Sequence, residues 1–87
     1  MEKAALIEEL KQLIVTECDK EMDLAEIDPE AQLIGGGPLD LDSLDGLQIA
    51  LAVKERYGVR IEGGPDGRKA FASISALADF ITASRAA

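Results

Sequence analysis

Residues 36–58 read GGPLDLDSLDGLQIALAVKERYG, and within this stretch a loop changes sharply into a helix. The glycines and the proline at its start favour a loop. From Ser43 to Tyr57 the apolar residues recur at helical spacing, and Gly58 then supplies a typical helix end. The sequence therefore predicts a helix over residues 43–57 that begins directly after a loop.

Three aspartates crowd Ser43 at this junction, and a calcium loop is one explanation to consider. Such a loop places oxygen ligands at alternate positions and a glutamate at the twelfth. Counted from Asp40, the fifth position is Leu44 and the twelfth is Leu51. Both side chains are apolar, so the stretch is not a calcium site and we predict no metal.

Helix capping explains the aspartates better than metal binding does. Asp42 is a good N-cap residue, and Asp45 at the third helical position can complete a capping box. Each carboxylate in the first turn also complements the helix dipole, by ~0.3–1 kcal/mol. Capping leaves Ser43 unexplained, because its hydroxyl would stand at the first helical position, free toward solvent.

The remaining sequence predicts further helices around this one. Apolar residues at helical spacing indicate a first helix from Lys3 to about Cys18, and an acidic loop then spans residues 19–42. A loop this long is uncommon in a small domain and is itself a hint of function. We expect four of its apolar side chains to hold it against the core: Leu24, Ile27, Leu33 and Ile34.

The C-terminal third predicts one short and one longer helix. Residues 59–61 are expected to form a short extended or turn segment and 63–67 to break the chain, with a short helical turn near Arg68–Phe71. Ser73 or Ser75 can cap a last helix that runs to about Ser84. We therefore predict a single all-α domain over residues 1–87, a four-helix bundle with three longer helices, one short helix and a long loop between the first two.

Composition narrows the possible functions. The net charge of −8 disfavours binding to nucleic acid, because phosphate backbones repel an acidic chain. Residues 1–42 hold twelve acids and three bases, whereas residues 43–87 hold five acids and six bases. The acidic part favours basic protein partners or simply solubility. The chain contains no histidine, the commonest general base and metal ligand, so we expect it not to be an enzyme.

The single cysteine and the absence of long apolar runs favour the cytoplasm. Cys18 cannot form an internal disulfide, and we expect a half-buried thiol near a helix end rather than a catalytic one. No apolar run approaches ~18 residues and the N-terminus does not resemble a signal peptide, so no membrane insertion is expected.

With Asp42-Ser43-Leu44 at the start of a helix after a long loop, the chain resembles the acyl carrier proteins. The resemblance covers nearly the whole chain, including residues 42–61 (DSLDGLQIALAVKERYGVRI) and 71–81 (FASISALADFI). It implies that Ser43 carries 4′-phosphopantetheine, transferred from coenzyme A by a phosphopantetheinyl transferase. The thiol of that arm would hold acyl groups as thioesters for acyl-loading and acyl-processing enzymes, and the protein would be a monomer.

The predicted second helix carries apolar residues beyond a single face. Gly46, Ile49, Ala50, Val53 and Tyr57 form the expected core face. Leu44, Leu47 and Leu51 lie beside it, either covered by other helices or exposed to partners. The resemblance implies the second possibility, with a partner surface around Ser43 made of Asp42, Leu44, Asp45, Leu47, Gln48 and Leu51.

The charge of this helix departs from the usual fatty-acid carrier pattern, which is strongly acidic. Asp45 and Glu55 are balanced by Lys54 and Arg56, and Gln48 stands where a glutamate is common. The departure favours a specialised carrier, serving secondary-metabolite or another dedicated acyl pathway, over the housekeeping carrier of fatty acid biosynthesis.

The resemblance also implies that a short acyl chain can fold into a cavity between the helices. Candidate lining residues, each of which is also an ordinary core residue by periodicity, are Leu51, Ile61, Ala70, Phe71, Leu77 and Ile81. Two alternatives to an acyl carrier stay open at this point. One is a peptidyl or aminoacyl carrier with the same attachment, and the other is an unmodified helical adaptor.

Overall fold

The computed structural model describes residues 2–18, 23–36, 41–61 and 65–86. Within these ranges the chain forms four helices: α1 (Lys3–Glu17), α2 (Ser43–Tyr57), α3 (Pro65–Ala70) and α4 (Ile74–Ala86). A 3₁₀ turn, Leu24–Glu26, lies between α1 and α2. The all-α prediction, with three longer helices and one short helix, is confirmed over the described part of the chain. None of the helices there has the length and apolar character needed to span a membrane.

The core lies where α1 packs against α2 and α4, with α3 packed on α4. Its fully buried large side chains are all aliphatic, and the aromatic residues Tyr57, Phe71 and Phe80 pack around it while partly exposed. Amphipathic helices of this length gain most of their stability from such packing rather than from intrinsic helix propensity. The largest buried side chains are Leu6, Leu10, Ile14, Leu33, Leu41, Ile49, Val53, Ile74, Leu77 and Ile81.

The long loop between α1 and α2 is held against the core, as predicted. Ile27 and Leu33 are buried, and Leu24 and Ile34 are half-buried against the core. Two backbone hydrogen bonds also attach the loop to the beginning of α4: the N–H of Ser75 donates to the carbonyl of Pro29 (2.9 Å), and that of Leu33 to the carbonyl of Ala72 (3.4 Å). The 3₁₀ turn was not predicted, because three residues are too few for a periodic signal.

A short backbone bridge leads the loop into α2. The N–H of Gly35 donates to the carbonyl of Leu41 (2.8 Å), and the N–H of Leu41 donates to the carbonyl of Leu33 (3.1 Å). Gly35 has φ +75°, a left-handed conformation in which glycine is favoured. Leu41, two residues before the predicted attachment serine, is buried at this bridge, a contribution to the core that was not predicted from the sequence.

The short third helix begins earlier than the sequence predicted. Pro65 opens α3, so Pro65–Gly67 form its first turn, and the prediction that these residues break the chain was wrong. Proline suits a first helical position because the N–H that it lacks has no intrahelical partner there. Residues 63 and 64 lie outside the described ranges. The helix also ends at Ala70, one residue before the predicted Phe71.

Ser73 caps the last helix, which settles the choice between the two serines. Its hydroxyl accepts a hydrogen bond from the N–H of Ala76 (3.0 Å). Ser75 lies inside α4, which extends to Ala86, two residues beyond the predicted end at Ser84. The observed boundary differs by the amount expected where the terminal turn of a helix frays.

Candidate functional site

The beginning of α2 is fixed by a reciprocal capping box. The N–H of Asp45 donates to Oδ1 of Asp42 (2.9 Å), and the N–H of Asp42 donates to Oδ2 of Asp45 (3.2 Å). Each carboxylate thus satisfies a backbone donor that the helix itself leaves unpaired. The predicted capping roles of both aspartates are confirmed.

Ser43 is the first residue of α2, and its side chain is exposed. Because Asp42 performs the capping, the Ser43 hydroxyl is not needed for helix formation. No hydrogen bond joins that hydroxyl to another residue of the described ranges. Ser43 therefore presents an accessible hydroxyl at a helix N-terminus.

The carboxylates beside Ser43 leave part of the helix N-terminus available. The capping box engages the N–H of Asp45, and the N–H of Gly46 donates to the carbonyl of Asp42 (3.0 Å). The N–H groups of Ser43 and Leu44 belong to the first turn, where the helix offers no partner and a bound anion is favoured.

Three leucines on α2 remain exposed although they are large and apolar. Leu44 is 69% exposed, Leu47 66% and Leu51 60%, and they are the exposed large hydrophobic residues of the described chain. The possibility that other helices cover them is therefore wrong. Spaced at i, i+3 and i+7, they follow one face of α2 away from Ser43. We call Leu44, Leu47 and Leu51 the leucine stripe.

The other predicted surface residues lie around the leucine stripe. Asp42 and Gln48 are exposed and Asp45 is half-buried. The six predicted members extend from the N-cap of α2 to Leu51, just past the middle of the helix. The core face is confirmed for Gly46, Ile49 and Val53, whereas Ala50 and Tyr57 are only half-buried. They lie toward the edge of that face.

An open cleft of about 750 Å³ begins beside Ser43. Its lining comes from α2, from the loop before α2, from Ile61, and from α3 with the two residues after it. The apolar side chains of the lining are Ile34, Leu47, Ala50, Ile61, Phe71 and Ala72. The polar side chains are Glu30, Gln32, Ser43 and Arg68, all exposed. The cleft thus joins the exposed hydroxyl to an apolar surface.

The predicted cavity residues divide into two groups. Ile61 and Phe71 line the cleft. Ala70, Leu77 and Ile81 are buried in the core, in agreement with their alternative interpretation as ordinary core residues, and Leu51 is exposed and outside the cleft. Helical spacing alone was compatible with either position, in the core or in a cavity, for these three residues.

The loop residues Glu30 and Gln32 also line the cleft, which was not predicted from the sequence. Gln32 is fixed there because its Nε2 donates to the carbonyl of Ile34 (2.8 Å). No sequence signal placed Glu30 or Gln32 near Ser43, since a polar residue in a loop has no periodicity that indicates its direction. Ile34 was expected to anchor the loop, and it does so at the wall of the cleft.

The charged residues at the end of α2 also have a local structural role. Lys54 and Arg56 lie in its last turn, where cations complement the negative end of the helix dipole. Gly58 then ends the helix with φ +68°. The charges of α2 are therefore unevenly distributed: Asp45 gives the start a negative charge, and the far end, where Glu55 lies between Lys54 and Arg56, has a net charge of +1.

Two further side chains lie near this helix. Cys18 caps the end of α1 and is half-buried, with its Sγ 4.0 Å from the carbonyl of Asp45, as expected of a structural thiol. The hydroxyl of Tyr57 donates to Oε1 of Glu9 (3.2 Å). Partial burial raises the pKa of Tyr57, and the negative charge and hydrogen bond of Glu9 raise it further.

Within the described ranges, no group of acidic or cysteine side chains is placed to hold a metal ion. Comparison with known protein families finds no family model that matches the chain, and comparison with curated proteins finds no matching relative. The function of this site therefore has to be inferred from its own residues and geometry.

Proposed function

We propose that the protein is an acyl carrier whose Ser43 bears 4′-phosphopantetheine. The observation that carries the proposal is an exposed serine hydroxyl at the first position of α2. The capping box of Asp42 and Asp45 fixes this end of the helix without using the hydroxyl. A modifying enzyme needs such access. In the sequence around it, Asp42-Ser43-Leu44 resembles the attachment motif of this family.

The helix N-terminus suits the chemistry of the attached group. Phosphopantetheine transfer would form a bond from the Ser43 oxygen to the pantetheine-linked phosphorus of the coenzyme A diphosphate. The P–O bond of the diphosphate would break, releasing adenosine 3′,5′-bisphosphate and the proton of the serine hydroxyl. The resulting phosphodiester is an anion beside the first-turn N–H groups, which favour negative charge. The carboxylates of Asp42 and Asp45 oppose it, but both already accept backbone hydrogen bonds.

The arm would supply the reactive sulfur, so the carrier needs no nucleophile of its own. The chain contains no histidine, and Cys18 is half-buried at the end of α1. The proposal therefore assigns loading and chemistry to partner enzymes and assigns tethering and presentation to this chain.

The leucine stripe is the proposed partner surface. Burying a leucine side chain contributes about 1.5–3 kcal/mol when burial is complete, and these three retain most of their exposure in the free chain. A partner that covers the stripe would reach Ser43 at the same time, because Leu44 directly follows it. Asp42, Asp45 and Gln48 would then form the polar rim of the contact.

We further propose that the partners belong to a dedicated acyl pathway. A strongly acidic helix would attract basic partners over long range, whereas in α2 the acids Asp45 and Glu55 are balanced by Lys54 and Arg56. Its partners should accordingly recognise a mixed-charge surface and depend less on electrostatic steering.

The test is an intact-mass measurement after incubation with coenzyme A and a broad-specificity phosphopantetheinyl transferase. We expect the wild-type chain to gain the mass of one phosphopantetheine and the Ser43→Ala variant to gain none. Ser84→Ala, which removes an exposed serine in α4, is the matched control and should be modified like the wild type. If the wild type stays unmodified while a known carrier is converted, the proposal fails and an adaptor acting through the leucine stripe becomes the better explanation.

A further inference from the structure

Gly46 is unusual because nothing in the backbone or the packing requires a glycine there. It lies within the first turns of α2, where glycine destabilises a helix relative to alanine. The glycines of the described chain with positive φ are Gly35 and Gly58, so Gly46 has an ordinary helical conformation.

Steric exclusion does not explain the glycine either. A Cβ atom built at Gly46 would approach Cδ1 of Ile34 at 3.5 Å, which is an ordinary van der Waals contact. Alanine would therefore fit without displacing a neighbour and would favour the helix. The absence of a side chain therefore lowers the stability of the helix, and no packing or backbone constraint requires it.

What the glycine does provide is space in the cleft. Gly46 is buried and lines the cleft together with Ser43, which lies three residues before it on the same helix. Residues three apart are neighbours on a helix surface, so the missing side chain widens the cleft at the end nearest the hydroxyl. Gly67 in α3 lines the same cleft and is also a buried helical glycine.

We propose that Gly46 determines specificity by keeping the cleft wide enough for a bulky apolar acyl group, branched or cyclic, carried from Ser43. This inference rests on the proposed function, because the occupant is the cargo of the arm. The apolar lining, Ile34, Leu47, Ala50, Ile61, Phe71 and Ala72, suits such a group. A thin unbranched chain would not require the additional width.

The experiment compares two cargoes in three chains. Wild type, Gly46→Ala and Gly46→Val are loaded from hexanoyl- and cyclohexanecarbonyl-coenzyme A, which both carry saturated acyl groups of similar size but different width. Loading is verified by intact mass, and cleavage of each thioester by hydroxylamine is timed against the corresponding free acyl-pantetheine. A buried thioester is cleaved more slowly than a free one.

We expect the wild type to slow hydroxylamine cleavage of the cyclic thioester relative to the free acyl-pantetheine, and this protection to be about tenfold smaller in Gly46→Val. Tenfold is the scale on which an apolar pocket discriminates a small change in size. Protection of the hexanoyl thioester should differ by less than about twofold between wild type and Gly46→Val. Equal protection of the cyclic cargo in wild type and Gly46→Val would overturn the inference while leaving the carrier function intact. Failure of all three chains to load would overturn the carrier function and this inference together.

Thermal unfolding supplies the second readout. Because the glycine is not structurally required, Gly46→Ala should raise Tm by a few degrees, about 2–6 °C for a domain of this size. A lower Tm in Gly46→Ala would show that the position needs glycine for folding, and the inference would then be withdrawn.

Discussion

The two faces of α2 carry the same kind of side chain in opposite environments. Ile49 and Val53 on one face are fully buried, whereas Leu44, Leu47 and Leu51 on the other are 60–69% exposed. Buried aliphatic residues stabilise the fold, but exposed ones contribute little to it and add a liability to aggregate. Apolar side chains in this helix therefore serve folding on one face and, in our proposal, partner recognition on the other.

The largest effect is expected on the buried face. Ile49→Ala should lower the free energy of unfolding by about 2–5 kcal/mol, because it removes a fully buried side chain and leaves a cavity. Urea denaturation followed by circular dichroism measures the change. A loss below about 0.5 kcal/mol, the scale of ordinary surface substitutions, would show that the two faces do not differ in the way described.

The exposed face should show the converse behaviour. Leu47→Ala should leave the free energy of unfolding within about 0.5 kcal/mol of wild type. In our proposal it removes an anchor of the partner contact, so kcat/KM for the phosphopantetheinyl transferase should fall about tenfold, equivalent to about 1.4 kcal/mol. Gln48→Ala, at the neighbouring exposed position, is the control and should change the rate less. An unchanged kcat/KM with Leu47→Ala would show that the transferase does not recognise the chain through Leu47.

The buried face and the helix start of α2 could be predicted from the sequence, whereas the exposure of its leucines could not. Helical spacing identified the core positions Ile49 and Val53, and local capping chemistry identified Asp42, Asp45 and the position of Ser43. Spacing could not decide whether Leu47 was covered, because coverage depends on how α1, α3 and the loop are arranged in space. The same limitation explains the cleft. Glu30 and Gln32 line it from the loop, whose path around the core no periodicity in the sequence indicates.

A smaller effect is expected at the junction where both faces begin. Asp42→Ala removes the N-cap and should lower the free energy of unfolding by about 1 kcal/mol. Asp42→Asn should retain most of the stability, since asparagine also caps helices well. Chemical denaturation of the three chains makes the comparison. Equal losses in both variants would mean that the charge of Asp42, rather than its hydrogen bond to Asp45, stabilises this end of α2.

The smallest effect concerns the far end of the buried face, at Tyr57. Its pKa is raised in the folded chain by partial burial and by Glu9, so the folded state holds the phenol proton more strongly than the unfolded state does. This contribution is constant below the unfolded pKa of about 10 and is lost as pH rises above that value. We expect stability to fall less steeply above pH 10 in Tyr57→Phe than in wild type. Identical slopes in urea titrations across that range would contradict the assignment.

If Ser43 is the attachment point, the added group can be localised to that residue. The transferase-treated chain is fragmented in the mass spectrometer, and the fragments that carry the added mass are identified. The account predicts that the mass lies on Ser43, with Ser73, Ser75 and Ser84 unmodified in the same molecule. A phosphopantetheine located on any other residue, or a chain that takes up none, would contradict it.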